Sequence, residues 1–270
     1  MRAIILAAVV VCGLAMVRAA LAGGDALPDA IGRLPELGRV SRGPVRVVLR
    51  GELLPAPAEA ARVEVDRVVA DLQHRLLRQA PGRAASGAVT MALLPDAGRY
   101  RQVGRAIGGE LVSDRGFYRR NRRLGVVDVG PGLATLRHEL VHAVVGDDFP
   151  AIPAWLDEGL GELYESATVD AAGVHLGRGE GGGQLRAALR RGELPTLTQL
   201  ATTADDELRG PRAPLLYALG AAVLRHVDQA GHLGDLYATI RANPRDPERH
   251  VAALRQYVDE DALRRLVAGL

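Results

Sequence analysis

Along residues 58–77 the apolar positions Val63, Val65, Val68, Val69, Leu72 and Leu76 recur at the spacing of one helix face. On either side lie two β-branched runs that read as strands, VRVVLR at 45–50 and AVTMALL at 88–94. A short helix is expected around residues 100–107, followed by extended segments near 110–119 and 124–129, with Gly125 and Gly130 bounding VVDV. From Pro131 onward the period changes to that of helices, predicted over residues 133–145, 153–166, 184–191, 213–229 and 231–242, with two short ones near the C-terminus. Strands first and helices after predicts an α+β fold: a small mixed β-sheet with helices over residues 44–146, a mainly helical half over 147–270, and a cleft between them. The intervening AAGVHLGRGEGGG, residues 171–183, reads as a glycine-rich loop or hairpin and matches neither phosphate-binding fingerprint.

The first residues follow a different logic. Arg2, an apolar stretch from Ala3 to Val17, and Ala20 and Ala22 in an A-x-A arrangement predict a secretory signal peptide, residues 1–22, cleaved after Ala22. That places the chain outside a bacterial cytoplasm, secreted or periplasmic; membrane contact is expected only if the segment is kept as an uncleaved anchor. Residues 23–43 carry Gly, Pro and scattered charges without periodicity and are expected to be a linker or arm ahead of a single domain over 44–270. Cleavage removes Cys12, the sole cysteine, so the mature chain has no disulfide to rely on.

Cleavage also removes Arg2 and Arg18 but no acid, leaving basic and acidic residues in equal number. Every basic residue is Arg, yet this balance argues against a nucleic-acid partner, which calls for concentrated positive charge. The run Arg119, Arg120, Arg122, Arg123 has no aromatic stacking platform beside it and reads as a solvated strand end.

Chemistry concentrates in RHELVHAVVGDDFPAIPAWLDEGLGELYE, residues 137–165. His138, Glu139 and His142 form H-E-x-x-H, which on a helix stacks two imidazoles on one face toward one ion. Glu139, about 100° around the helix from His138, projects beside the ion, where a carboxylate takes a proton from a metal-held water. Leu136, Leu140, Val141, Val144 and Val145 supply burial, with Pro131 suited to the helix start and Gly146 to a C-terminal cap. A catalytic Zn2+ takes three protein ligands and an open position, and the turn-rich DDFPAIP brings a second helix back with Glu158 as third ligand. Glu158, Glu162 and Glu165 share a face of that helix, a pattern that alone signals solvent; beside two histidines, Glu162 is expected to accept the free N–H of a ligating imidazole. His74, His175, His226, His232 and His250 have no ligand spacing and are expected to be structural or solvent-facing. Trp155 is expected to pack the second helix against the first or to line the cleft.

H-E-L-V-H followed by P-A-W-L-D-E-G-L-G-E-L-Y resembles the gluzincin metallopeptidases, in particular the secreted bacterial peptidase MA-like group, with a more distant similarity to the aminopeptidase N and leukotriene A4 hydrolase catalytic domains. The resemblance extends to Gly116–Tyr118, Val126–Val129 and Thr135–His142. It implies a zincin-like fold, zinc held by His138, His142 and Glu158, Glu139 as catalytic base, and hydrolysis of a peptide or protein substrate. Tyr217 and Gly220 in Y-A-L-G resemble the Y-x-x-G segment that carries a transition-state tyrosine; a core tyrosine on an amphipathic helix accounts for Tyr217 equally well. No G-x-M-E-N segment precedes the zinc helix, so exopeptidase activity is not implied. VVDVG at 126–130 is read instead as an edge strand able to pair with an extended peptide. The alternative function is a zinc-binding, non-catalytic protein that recognises a peptide or cell-envelope partner.

Overall fold

The computed structural model of the protein describes residues 27–77, 87–107, 113–177, 179, 181–204 and 206–270. The expected leader, residues 1–22, lies outside the described residues, as does the start of the extended segment expected near 110–119. No described helix is long and apolar enough to cross a membrane.

Alternation along the strands builds two cores. Five strands, β1 (Glu36–Arg42), β2 (Val45–Gly51), β3 (Val89–Leu94), β4 (Gly116–Arg119) and β5 (Leu124–Asp128), form a sheet in the order β1-β2-β3-β5-β4. The central pairs β2–β3 and β3–β5 are parallel and the outer pairs antiparallel, so the sheet is mixed. Every residue of β3 is buried, because a strand covered on both faces has no side for water. Val89, Met91 and Leu93 point into the larger core, whereas Ala92 and Leu94 point into a smaller one under α1 (the single turn Asp29–Gly32) and α3 (Ala97–Ala106).

The larger core holds α2 (Pro55–Leu72), which widens into a π-helical turn at Gln73–Leu77, and α4 (Ala134–Asp148). The chain then reverses into α5 (Ala154–Glu165), passes a two-stranded hairpin, β6 (Thr168–Asp170) and β7 (Gly173–His175), and continues as helices. These are α6 (Gly182–Arg191), α7 (Leu197–Ala201), α8 (Ala213–Gln229), α9 (Leu233–Ala242), α10 (Pro247–Arg255) and α11 (Glu260–Ala268). The protein is thus α+β, with a small mixed sheet followed by a mainly helical half. Trp155, 2% exposed, belongs to the larger core.

Three expectations change and one helix is added. Residues 36–42, read as part of a linker or arm, are edge strand β1; only Val40 of it is buried, so it carries no alternating signal. Residues 126–130 are not an edge: β5 is paired on both sides, and the edge beside α4 is β4. Gly146 does not cap α4, which continues to Asp148. The capping box of α7, Thr196 with Gln199, marks a short helix that the apolar period does not reveal.

Candidate metal centre

The two sequence-predicted helices bring the ligand candidates together. His138 and His142 sit one turn apart on α4, their rings edge-to-face with centroids 4.7 Å apart. Oε2 of Glu158, from α5, lies 3.5 Å from Nε2 of His138 and 3.7 Å from Nε2 of His142. Two ligands on a tetrahedral ion with bonds of 2.0–2.1 Å stand about 3.3 Å apart, so Glu158 needs to close on each imidazole by only a few tenths of an ångström, and the three ligand atoms lie within 4.8 Å of one another. Their donor set, two imidazole nitrogens and one carboxylate oxygen, suits zinc.

The other ring nitrogen of each histidine is occupied. Nδ1 of His138 meets Oε2 of Glu165 at 2.9 Å, and Nδ1 of His142 meets Oδ1 of Asp157 at 2.9 Å. A carboxylate accepts, so both rings donate from Nδ1 and present Nε2 toward Glu158, the carboxylate–histidine arrangement of metal sites. This corrects the expected acceptor: Glu165 and Asp157 fill the role assigned to Glu162. Glu162 lines the same cleft and, with His138 and Glu165, forms a second close group of potential ligands. Asp157 adjoins Glu158 in sequence, but its role follows from the crossing of α4 and α5, not from the turns of α5 alone.

Small residues let the helices come this close. A Cβ on Gly161 would stand 2.8 Å from Cε1 and Nε2 of His138, so the imidazole rests on that glycine. On the opposite side α5 crosses α8 backbone to backbone: a Cβ on Gly159 would meet Gly220 C at 3.1 Å. That crossing places Tyr217, one turn before Gly220, on the cleft wall. Its hydroxyl donates to the Leu208 carbonyl at 3.0 Å, so service to an oxyanion requires it to exchange that acceptor. Arg137 fastens the end of α5, donating to the carbonyls of Tyr164 (2.9 Å) and Glu165 (2.7 Å) and pairing with Glu64. These are carbonyls that a helix C-terminus leaves without partners.

Glu139 is 7% exposed and lies against the start of β4, where a Cβ on Gly116 would stand 3.2 Å from its Oε1. Burial raises its carboxyl above the usual range, with Glu158 and Glu165 adding to the effect and the two histidines opposing it. Burial works against charge on His138, but the hydrogen bonds it donates to Glu158 and Glu165 and the field of Glu139 outweigh it and hold this imidazole well above its usual value. For His142, Asp157 outweighs burial in the same direction.

The cleft holds about 660 Å³ and runs from β4 to α8. Among the described residues, Asp114, Glu139, Asp157, Glu158, Glu162 and Glu165 line it against two guanidinium groups, Arg115 and Arg120, an excess of negative charge that invites a cation. The arginine run is a strand end with Arg120 and Arg122 exposed, as expected, and two of its members are also engaged: Arg120 reaches Asp157 and Arg123 binds Asp147. Among the other histidines, His250 is buried with Nε2 on the Asn243 carbonyl, while His175 and His232 meet nearby aspartates at the surface. No protein-family model matches the chain, and no curated protein matches it significantly.

Proposed function

We propose that the protein is a zinc-dependent metallopeptidase with a zincin-like fold, acting outside the bacterial cytoplasm. The observation that carries this reading is the convergence of His138 Nε2, His142 Nε2 and Glu158 Oε2, with both Nδ1 atoms already held by carboxylates. These three residues hold the ion. When bound, zinc supplies Lewis acidity to a carbonyl oxygen and makes water a nucleophile at neutral pH.

The remaining work falls to the chain. Glu139, buried and beside the ligands, accepts the proton of the attacking water and returns it to the leaving amine. Burial favours that role, since a carboxyl whose basicity is raised takes a proton more readily. The edge strand β4 supplies recognition: Gly116, Phe117 and Tyr118 line the cleft, and among the described residues β4 pairs only with β5. An extended peptide adding to its open edge is bound through main-chain hydrogen bonds, which favours peptide over small-molecule substrates. Tyr217 stands opposite as a candidate donor to the developing oxyanion.

Elemental analysis of the purified protein beside His138→Ala, after loosely bound ions are stripped, tests the ligand set without a substrate. About one zinc per chain in the wild type and a marked loss in the variant are expected; no metal in a folded, zinc-reconstituted wild type refutes the proposal. Cleavage of a mixed peptide library then separates the peptidase from a zinc-binding protein that only recognises peptides.

A further inference from the structure

Beyond the ligands and their carboxylate partners, we infer that Arg120 is a positioning residue that sets the orientation of His142 through Asp157, and so ties the edge strand to the metal. The inference rests on the metal-site reading above. Arg120 follows β4 directly, in the 3-10 turn Arg120–Arg122. Its Nη2 donates to Oδ2 of Asp157 at 3.2 Å while Oδ1 of the same carboxylate meets Nδ1 of His142 at 2.9 Å. Each oxygen of Asp157 therefore has one partner, and the guanidinium fixes which oxygen faces the imidazole. Nη1 of Arg120 donates to the Pro150 carbonyl at 2.7 Å, which anchors the group at a second point in the turn between α4 and α5.

The helix itself makes room for this guanidinium. Gly146 lies two turns beyond His138 and one beyond His142, on the same face of α4. A Cβ there would stand 2.9 Å from Cζ, Nε and Nη2 of Arg120. The glycine that the sequence suggested as a cap is thus the bed of the arginine. Three elements, the end of β4, α4 at Gly146 and the start of α5 at Asp157, meet on one side chain.

The chemistry is that of a graded chain. A carboxylate hydrogen-bonded to a ligating imidazole raises its donor strength; a cation on the other oxygen draws off part of that negative charge and restrains the carboxylate in one rotamer. Removing Arg120 frees Asp157 to turn away from His142, which then loses its fixed orientation toward the ion. Weaker metal binding follows, together with a changed ligand field.

The test uses the mature chain with zinc and cobalt(II) alone as probes. Zinc affinity is measured by competition with a chromophoric chelator, and the d–d absorption of the cobalt form reports the geometry at the ion. Arg120→Gln is expected to weaken zinc binding about tenfold, the lower end for changes around ligating residues, and to shift the cobalt bands. Arg120→Lys, which retains charge but not the two-point fork, is expected to fall between. Gly146→Ala keeps Arg120 but displaces it, at the tip of a flexible side chain, so it is expected to move both readouts in the same direction, and it carries the test if Arg120→Gln does not fold. Wild-type affinity and an unshifted cobalt spectrum in the folded variants overturn the inference while leaving the metal site intact. A wild type that binds neither metal overturns the site and the inference together.

Discussion

Replacing Gly161 with alanine puts a methyl group where the His138 ring now lies. The added Cβ would stand 2.8 Å from Cε1 and Nε2 and 3.0 Å from Cδ2, whereas carbon atoms in good contact sit about 3.5 Å or more apart. Either the ring or the helix must give by about 0.7 Å. α5 has little freedom to retreat, since its other side rests on the backbone of α8 at Gly159 and Gly220 and its end is fastened by Arg137. The imidazole therefore moves, by several times the ~0.2 Å that metal–ligand distances tolerate. We expect zinc affinity to fall about 100-fold, the upper end for changes around ligating residues, equivalent to about 2.8 kcal/mol. Alanine favours a helix over glycine by about 1 kcal/mol, so the metal-free variant should melt within a few degrees of the wild type. Chelator competition for affinity, with calorimetry of the metal-free protein, separates the two effects. Undiminished zinc affinity in Gly161→Ala refutes the placement of His138 against α5 and with it the proposed ligand geometry.

Glu139→Gln should retain zinc yet lower kcat on a peptide cleaved by the wild type by about 10³-fold, within the range for general base catalysis; an unchanged kcat removes Glu139 from the mechanism. Arg137→Met leaves Glu64 without its partner in a site where both side chains are less than one-sixth exposed, at a cost of about 3 kcal/mol. Thermal unfolding should show a drop of at least about 6 °C, and a shift under 2 °C argues against a structural role. Burial raises the pKa of Tyr164 and Tyr237, and the carboxylates of Asp71 and Asp148 that accept from them reinforce the rise. Above about pH 10 the unfolded chain loses these phenolic protons while the folded one keeps them, so stability falls with rising pH by up to about 1.4 kcal/mol per unit for each tyrosine. Denaturant melts at increasing alkaline pH, with Tyr164→Phe flattening the slope, check the sign; a slope unchanged by the substitution contradicts it.

The helices that build the site were legible because their apolar periods are strong and their breakers lie nearby. The expected 153–166 became Ala154–Glu165, and the expected 213–229 became Ala213–Gln229. β3 announced itself because a strand buried on both faces is written in apolar residues throughout. β1 did not, because its sequence ELGRVSR faces water at an edge. The order of strands, which made β4 and not β5 the edge, depends on pairings between distant segments that no local period encodes. At the site, H-E-x-x-H and Glu158 could be proposed from helical geometry alone. The partners of the imidazoles could not, because Asp157 and Glu165 reach them across the crossing of α4 and α5. Gly146 looks like a helix cap in sequence and Gly161 like an ordinary helix residue; their reason lies in a guanidinium and an imidazole arriving from elsewhere.

The α4–α5 pair also bears on the order in which the chain folds. All three candidate ligands come from one helical hairpin, within about twenty residues of sequence, and closing a loop that short costs little chain entropy. The parallel strands β2, β3 and β5 must by contrast wait for crossover segments to fold between them. A metal captured by the hairpin early would therefore favour its collapse before the sheet is complete, making the ion a participant in refolding. Stopped-flow refolding with and without zinc would reveal this as a faster helical phase.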